Sequence, residues 1–290
     1  MPRGRPHRRS PTRVSRPVAA GVLALAVALA AALIVGWAVS RPSDTGPSGT
    51  GDIRSPFDRF PAPGDRYGPD RSVPGAPDPQ ARLVRFVGFV FADVQRSWQA
   101  EFARAGRPYE PARLVIFRRA VRSGCGPAST ATGPFYCPLD EAVYLHLGFF
   151  RALATAIEAP GDFAQAYVIA HEVSHHVQTL TGVTQEVTAA ASQAPSIANE
   201  LSISLELQAD CLAGVWAHST YERGLLESGD LEEGLAAAAA VGDDRIQAKA
   251  TGRIDAETWT HGSSEQRVGW FLRGFEGGEA AACDTFGSEL

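Results

Sequence analysis

Apolar side chains recur at helical spacing in the stretch DFAQAYVIAHEVSHHVQTLTG, which runs from Asp162 to Gly182. Asp162 is typical of a helix N-cap, with Gln165 three residues later, and Gly182 is typical of a helix end. The pattern therefore predicts an amphipathic helix with both ends marked. Its apolar positions repeat every three to four residues: Phe163, Ala166, Ala170, Val173, Val177 and Leu180.

The other elements beyond residue 81 are predicted in the same way, helices from apolar residues at helical spacing and strands from short aliphatic runs. The predicted helices cover 81–105, 195–218, 235–241 and a final stretch from 263, and the predicted strands cover 113–119 and 142–147. Residues 124–138 are rich in Gly, Pro and Thr and are predicted as a loop. The pattern as a whole predicts an α+β domain that is mainly helical with a small sheet.

An almost unbroken apolar run covers residues 18–39, and about twenty apolar residues span a bilayer. The first sixteen residues contain six arginines and no acidic residue. Because basic flanks stay in the cytoplasm, we predict a cytoplasmic tail at 1–17, a single transmembrane anchor at 18–39 and an extracytoplasmic remainder. A cleavable signal peptide is the alternative, since Ala38-Val39-Ser40 resembles a cleavage site. The apolar run is longer than a usual signal core, which favours the uncleaved anchor.

Residues 40–80 are dominated by Pro, Gly, Asp and Ser, a composition typical of a disordered linker. Such a linker would hold a folded domain at 81–290 away from the membrane. The chain has a formal net charge of −5, and leaving out the six N-terminal arginines lowers it to −11. The acidic external part argues against nucleic acid or anionic lipid as its partner. We therefore expect contact with the membrane only through the N-terminal helix.

The helix that ends at Gly182 carries HEVSH, the pattern HExxH, from His171 to His175. These two histidines are one turn apart, so both imidazoles can reach a single ion, and Glu172 lies beside them. A catalytic zinc site has three protein ligands and one open position for water, and a neighbouring carboxylate can take a proton from that water. A solvated helix face without metal is the alternative. His176 points about 100° away round the helix, so we interpret it as lying behind the ligands or on the surface.

A third ligand is expected from another element. In the predicted helix 195–218, Glu206 and Asp210 are four residues apart and share a face. One carboxylate can bind the ion while the other accepts a hydrogen bond from the free ring nitrogen of a ligating histidine. Glu186 and Glu200 are the rival ligands, and neither has a carboxylate four residues later.

Four segments resemble the neutral zinc metallopeptidase family of bacteria, whose zinc helices are similar to those of gluzincin peptidases. The segments read GPFYCP, VIAHEVSHHVQ, ELQADCLAGVWAH and THGSSEQRVGWFLRGFE. The resemblance implies a compact, zincin-like gluzincin fold with one zinc ion held by His171, His175 and Glu206. It further implies Glu172 as the general base and Asp210 as the carboxylate that orients a ligating histidine.

The resemblance covers roughly 86–286, and one departure is visible. Ser174 stands where the family more often has glycine, and its small side chain should leave the helix and the metal site intact. The segment THGSSEQR implies that His261 donates a hydrogen bond to the oxyanion formed during amide hydrolysis. An ordinary residue at the entry of a helix is the alternative for His261. Arg267, in the predicted final helix, should face either the site or a structural carboxylate.

The chain has four cysteines, and an even number in a domain predicted to lie outside the membrane suggests disulfides. Cys125 with Cys137 would close a short loop, and Cys211 with Cys283 would then tie the ligand helix to the C-terminal region. Sequence alone permits three pairings. A cysteine zinc site is the alternative, and it lacks any CxxC spacing.

These patterns together predict a membrane-anchored, extracytoplasmic zinc metallopeptidase that hydrolyses peptide bonds in a peptide or protein substrate. In zinc peptidases of this design a strand such as 142–147 lies beside the cleft, and an extended peptide could add to its edge. Two alternatives stay open. One is a non-catalytic, membrane-anchored binding or adaptor protein with a structural or vestigial zinc site, and the other is a zinc amidase that acts on cell-wall peptide.

Overall fold

The structure, a computed structural model, describes residues 79–287 together with Met1. Apart from Met1, the predicted tail at 1–17 lies outside the described residues. So do the predicted anchor at 18–39 and all but the last two residues of the linker at 40–80, and these three stay predictions. Within the described part of the chain, no helix combines the length and the apolar character needed to cross a membrane.

The described chain is mainly helical with a small sheet, which confirms the predicted α+β class. The likeness to gluzincin folds stays a prediction. The helices are α1 (Pro79–Arg104), α2 (Leu147–Thr155), α3 (Asp162–Thr181), α4 (Val183–Gln193), α5 (Ala198–Glu222), α6 (Asp230–Ala240), α7 (Asp243–Thr251) and α8 (Ser264–Gly277). The strands are β1 (Arg113–Phe117), β2 (Ala120–Ser123), β3 (Gly126–Ser129), β4 (Phe135–Cys137) and β5 (Ala142–His146).

The helix predicted at 195–218 is longer and less uniform than the pattern indicated. It begins as a 3-10 turn at Pro195–Ile197 and continues as α5 as far as Glu222. Proline at the start lacks the amide that a helix interior would need, and it fits the first turn of a helix.

The small sheet has the strand order β1-β5-β4, with β5 parallel to β1 and antiparallel to β4. Strands β2 and β3 form a separate hairpin. The prediction of a loop over 124–138 was wrong, because β3 and β4 both lie within it. Pairing with β2 and β5 holds these short strands, whatever their own composition. Since β5 is paired on both sides, the strand predicted at 142–147 has no free edge for a peptide, and β1 and β4 are the edge strands.

Helix α3 is buried along most of its length and packs against α1, α5 and α6. The ring of Phe163 stacks on Trp216 of α5 with centroids 5.8 Å apart. One turn later, Tyr167 meets Phe271 of α8 edge to face at 5.5 Å. Aromatic pairs of this kind bury large apolar surfaces in a defined geometry. These two contacts fix the helix that carries HExxH against α5 and α8.

The two ends of α3 are formed differently. Gly182 ends the helix in the left-handed conformation with φ 91°, as predicted. Asp162 is the first helical residue, so its predicted role as N-cap was wrong, and Gly161 occupies that position. The amide of Phe163 instead donates to the carboxylate of Glu233 in α6 at 3.0 Å. A Cβ on Gly161 would lie 2.0 Å from this carboxylate, which explains the glycine.

Helices α5 and α8 approach so closely that their backbones touch at two glycines. A Cβ on Gly214 of α5 would lie 2.1 Å from the carbonyl oxygen of Phe271, and one on Gly274 of α8 would lie 1.9 Å from the carbonyl oxygen of Cys211. No side chain fits at either position. The close crossing brings the side chains of α8 up to the face of α5 that carries Glu206.

Both disulfides have the expected pairing: Cys125 with Cys137 and Cys211 with Cys283. The second joins α5 to the segment that follows α8. In that segment, the carbonyl of Cys283 accepts a hydrogen bond from Gln208 at 3.0 Å, and Thr285 donates to the carbonyl of Ser204 at 2.6 Å. The C-terminal segment is thus attached to α5 on both sides of Glu206.

Candidate metal centre

The three side chains predicted as zinc ligands lie together in the structure. His171 and His175 project from α3, and Glu206 reaches them from α5. Glu206 Oε2 lies 3.2 Å from His171 Nε2, and Glu206 Oε1 lies 3.5 Å from His175 Nε2. Ligand atoms about 2.0–2.1 Å from a tetrahedral zinc ion are about 3.3–3.4 Å from one another. The two separations, one to each oxygen of Glu206, are close to this spacing, and one donor atom from each of the three residues lies within 4.8 Å of the other two.

The donor atoms also need a cation. Glu206 Oε2 is buried and accepts no hydrogen bond from a described residue. When the ring of His171 is neutral with its proton on Nδ1, Nε2 directs a lone pair at this oxygen, and two facing lone pairs repel unless a cation lies between them. Burial lowers the pKa of His175 to about 4, which keeps that ring neutral and able to bind a metal. The donor set thus fits a metal ion.

The charges around the site lead to the same conclusion. Burial alone would lower the pKa of His171, but the carboxylates of Asp210 and Glu206 outweigh it and raise the pKa to about 10. Burial would raise the pKa of Glu206, yet the neighbouring histidines, His175 first, hold it well below its usual range. A positive charge is therefore favoured between these groups, whether a proton or a metal ion carries it.

Asp210 orients His171, as the sequence predicted. Its Oδ1 lies 2.9 Å from His171 Nδ1, and the residue is fully buried. Arg267 of α8 donates two hydrogen bonds to the same carboxylate, at 2.8 and 3.0 Å, and the hydroxyl of Tyr167 donates a third. Burial would raise the pKa of Asp210, but Arg267 and then His171 lower it. The carboxylate therefore stays ionised and holds the Nδ1 proton, which leaves Nε2 of His171 for the metal.

Gln178 orients the second histidine, His175, by accepting a hydrogen bond from its Nδ1. Its Oε1 lies 2.8 Å from His175 Nδ1, and its Nε2 donates to the carbonyl of Leu205 at 2.7 Å and to Gln208 Oε1 at 3.0 Å. Leu205 directly precedes Glu206, so one buried amide connects the second histidine to the backbone beside the third donor. The sequence analysis missed this role, although Gln178 follows His175 by three residues and so lies on the same face of α3.

Glu172 lies beside the donors and is only 5% exposed. Burial raises its pKa to about 7, with His171 opposing the shift and Glu206 adding to it. The backbone amide of Tyr136 in β4 faces the carboxylate and tends to lower this pKa. A carboxyl group with a pKa near neutrality can both accept a proton and return it.

An open cleft lies over the donors. Strand β4 and the residue after it form one wall, and α4 and α5 contribute the other. Among the described residues that line the cleft, the ionisable groups next to the donors are Glu172 and His261. The remaining lining is mostly apolar or uncharged: Phe135, Tyr136, Pro138, Thr184 and Leu205.

His261 lies in the cleft, where it shares the lining with Glu206. Asp243 at the start of α7 holds it through an Oδ1 contact of 3.0 Å with His261 Nδ1 and accepts a hydrogen bond from the His261 amide at 2.7 Å. Burial alone would lower the pKa of His261, but the hydrogen bond to Asp243 and the charge of Glu206 raise it above its usual value. Sequence reasoning missed Asp243, since only the tertiary structure brings it to His261.

The structure also decides three interpretations of neighbouring residues. Glu186 and Glu200, the rival ligands, are exposed and lie outside the donor group. His176 is fully buried, so of its two predicted positions, behind the ligands or on the surface, the surface is excluded, and its ring contacts Tyr136 and Glu110. Packing of β4 and of the segment before β1 against α3 buries it.

The chain is similar in sequence to proteins of Escherichia coli and Mycobacterium tuberculosis. Protein YpfJ of Escherichia coli K12 is 46% identical over 208 residues, which are 71% of this chain and 72% of the relative. Protein Rv2575 of Mycobacterium tuberculosis H37Rv is 47% identical over 189 residues, which are 61% of this chain and 63% of the relative. Both are named as uncharacterised proteins. No solved structure matches the chain significantly.

The sequence model of one family covers most of the chain. It is described as "putative neutral zinc metallopeptidase" and matches residues 64–286. The matched region contains the four segments on which the resemblance rested, together with all three donors of the metal centre. The chain therefore belongs to this family of neutral zinc metallopeptidases.

Proposed function

We propose that the protein is a zinc-dependent metallopeptidase that hydrolyses peptide bonds, anchored by its N-terminal helix with the catalytic domain outside the cytoplasm. One observation carries the catalytic part of the proposal. Three donors, of which His171 and Glu206 are buried and His175 is partly buried, converge from α3 and α5 at separations close to those of zinc ligands, and a buried carboxylate, Glu172, stands beside them in an open cleft.

Zinc bound there supplies Lewis-acid activation of water and of the scissile carbonyl. Glu172 takes the proton from the attacking water and passes it to the leaving amine. The pKa of about 7 that burial gives this carboxyl suits both transfers. His261 donates a hydrogen bond to the oxyanion through Nε2, because Asp243 engages its Nδ1.

The residues around the ligands keep the metal site in one geometry. Asp210 and Gln178 each hold the Nδ1 proton of one histidine, so both rings present Nε2 to the ion. Arg267 compensates the charge of Asp210 within the buried layer between α3, α5 and α8. These partners raise the metal affinity and the precision of the site without touching substrate.

Strand β4 is the element we propose for substrate binding. It lies at the edge of the sheet and lines the cleft with Phe135 and Tyr136. An extended peptide that pairs with an edge strand gains backbone hydrogen bonds, and the cleft receives alternate side chains. This proposal moves the peptide from the central strand β5 to its neighbour.

A structural zinc site is the main rival to a catalytic one, and the cysteines argue against it. A structural site is closed by a fourth protein ligand, for which the cysteines were the obvious source. All four cysteines are engaged in disulfides, so no thiolate is available to close the site. A donor group of three residues, as found in the described part of the chain, favours a catalytic site.

The test compares full-length wild type with Glu172→Gln in zinc content and in chelator-sensitive cleavage of an unfolded protein. Both proteins should bind one zinc, and the variant should lose about 10²–10⁴-fold in activity, the contribution of a general base. Glu186→Gln, an exposed carboxylate on α4, is the matched control and should retain full activity. Cleavage by Glu172→Gln at the wild-type rate would refute the mechanism. Zinc binding with hydrolysis confined to cell-wall peptide would replace the peptidase with an amidase.

A further inference from the structure

His176 follows the second metal ligand directly and has no part in the proposed mechanism. Its ring is fully buried, on a side of α3 that faces away from the donors. Nε2 lies 2.7 Å from the carbonyl oxygen of Glu110, and Nδ1 lies 3.0 Å from the hydroxyl of Tyr136. Tyr109 and Tyr136 both meet the imidazole edge to face. Both ring nitrogens of His176 therefore have a hydrogen-bond partner.

The direction of both hydrogen bonds follows from the partners. A carbonyl oxygen can only accept, so Nε2 of His176 carries a proton and donates to Glu110. In the neutral ring Nδ1 then has a lone pair and accepts from the hydroxyl of Tyr136. The hydroxyl of Tyr136 thus donates a hydrogen bond to His176 of α3, although Tyr136 itself lines the cleft.

Tyr136 is the middle residue of β4, the proposed substrate-binding strand. The strand has only three residues, and Tyr136 pairs with Val143 of β5 on one side. On the other side its amide faces Glu172, and its neighbour Cys137 is bonded to Cys125. Such a short edge strand makes few ladder hydrogen bonds, so side-chain contacts must fix its distance from α3.

We propose that His176 is a positioning residue that fastens β4 to the helix that carries the metal ligands. Through the hydroxyl of Tyr136 it sets the distance between the substrate-binding strand and Glu172. This inference rests on the proposed function for its kinetic consequence. The fastening itself is a property of the fold and can be measured without any activity.

Two amide substitutions separate the two hydrogen bonds of the ring. Asn places its carbonyl oxygen where His has Nδ1, so His176→Asn keeps an acceptor for Tyr136 and loses the bond to Glu110. Gln places its amide nitrogen where His has Nε2, so His176→Gln keeps the donor to Glu110 and loses the bond to Tyr136. Tyr136→Phe removes only the hydroxyl and leaves the ring in the cleft.

Steady-state kinetics of the zinc-loaded full-length protein on a peptide substrate give the first readout. His176→Gln and Tyr136→Phe should each raise KM about fivefold, the factor expected for one net hydrogen bond, with kcat changed less than about twofold. The double variant should show no further rise, since both substitutions remove the same bond. His176→Asn should stay within about twofold of wild type. Equal effects of Asn and Gln, or additive effects in the double variant, would overturn the proposal.

Amide hydrogen exchange over Phe135–Cys137 gives a second readout that needs no cleavage. Exchange should be faster in His176→Gln than in wild type and in His176→Asn. If no peptide is cleaved by any form while this difference persists, the proposed function fails and the fastening of β4 stands. If exchange over β4 is the same in all three proteins, the fastening is wrong, whatever the activity.

Discussion

Arg267 provides the sharpest test of how the metal centre is supported. Its guanidinium is almost fully buried and donates to both oxygens of Asp210, which is itself fully buried. Replacement by methionine keeps much of the apolar length and leaves the carboxylate without its counter-cation. Breaking a buried pair in this way costs about 3–5 kcal/mol of unfolding free energy, because a fully buried carboxylate loses its guanidinium partner.

The chain offers a matched control in the pair of Asp93, on α1, and Arg223, which directly follows α5. Arg223 donates to both oxygens of Asp93 at 2.6 and 2.7 Å, so this pair is also bidentate, although Arg223 uses its two terminal nitrogens and Arg267 uses Nε and one terminal nitrogen. Its side chain is 39% exposed, against 4% for Arg267, and Asp93 keeps contacts with Trp216 and Arg96 after the change. Arg223→Met should therefore cost only about 1 kcal/mol, the upper range for exposed pairs.

Urea denaturation followed by tryptophan fluorescence, with the metal removed by chelator, measures both variants. With a slope of about 2–3 kcal/mol per molar urea, Arg267→Met should lower the midpoint by about 1–2 M. The double variant Asp210→Asn with Arg267→Met should be more stable than Arg267→Met alone, since it also removes the carboxylate that lost its guanidinium partner. Losses for Arg267→Met and Arg223→Met that agree within about 1 kcal/mol would refute the reasoning.

Three further outcomes follow from the structure. Gln178→Ala should weaken zinc binding about 10–100-fold in competition with a chelator, because the ring of His175 loses its partner, and unchanged affinity would exclude this role. Gly274→Ala should destabilise the fold by about 1–3 kcal/mol in thermal unfolding, since its Cβ would lie 1.9 Å from an α5 carbonyl. The control is Gly269→Ala on the same helix, whose Cβ meets open space. This variant should stabilise the fold by up to about 1 kcal/mol. Burial tends to raise the pKa of Asp93, but hydrogen bonds led by that from Arg223 lower it. Its stabilising effect is therefore present above about pH 4 and lost as the pH falls through the folded-state pKa, so Asp93→Asn should flatten the acid limb of the stability curve.

Local spacing predicted most of the metal centre. His171 with His175, and Glu206 with Asp210, are each four residues apart, and a helix turns such a spacing into one face. Burial in the structure then distinguishes Glu206 from Glu186 and Glu200, because Glu206 is buried beside the two histidines and the other two carboxylates are exposed. Local pattern could also have revealed Gln178, three residues after His175.

The remaining parts depend on contacts that no local pattern encodes. Glu233 caps α3 from 70 residues away, so the acid at the helix start was given a role that it does not have. Strand β4 lies in a stretch whose composition favours a loop, and its pairing with β5 overrides that preference. Asp243 reaches His261 only after α7 has packed beside α8. Tertiary packing decided each case.

The last helix of the domain completes the metal centre, which has a consequence for the order of synthesis. Asp210 has left the ribosome well before Arg267, and translation of the roughly 60 residues between them takes about 3–12 s at about 5–20 residues per second. During that interval the carboxylate beside His171 has no guanidinium to balance it, and α5 has no α8 to pack against. A nascent chain therefore contains the HExxH helix and its third donor for seconds before α8 is synthesised. The metal centre can take its final form only in chains that include α8.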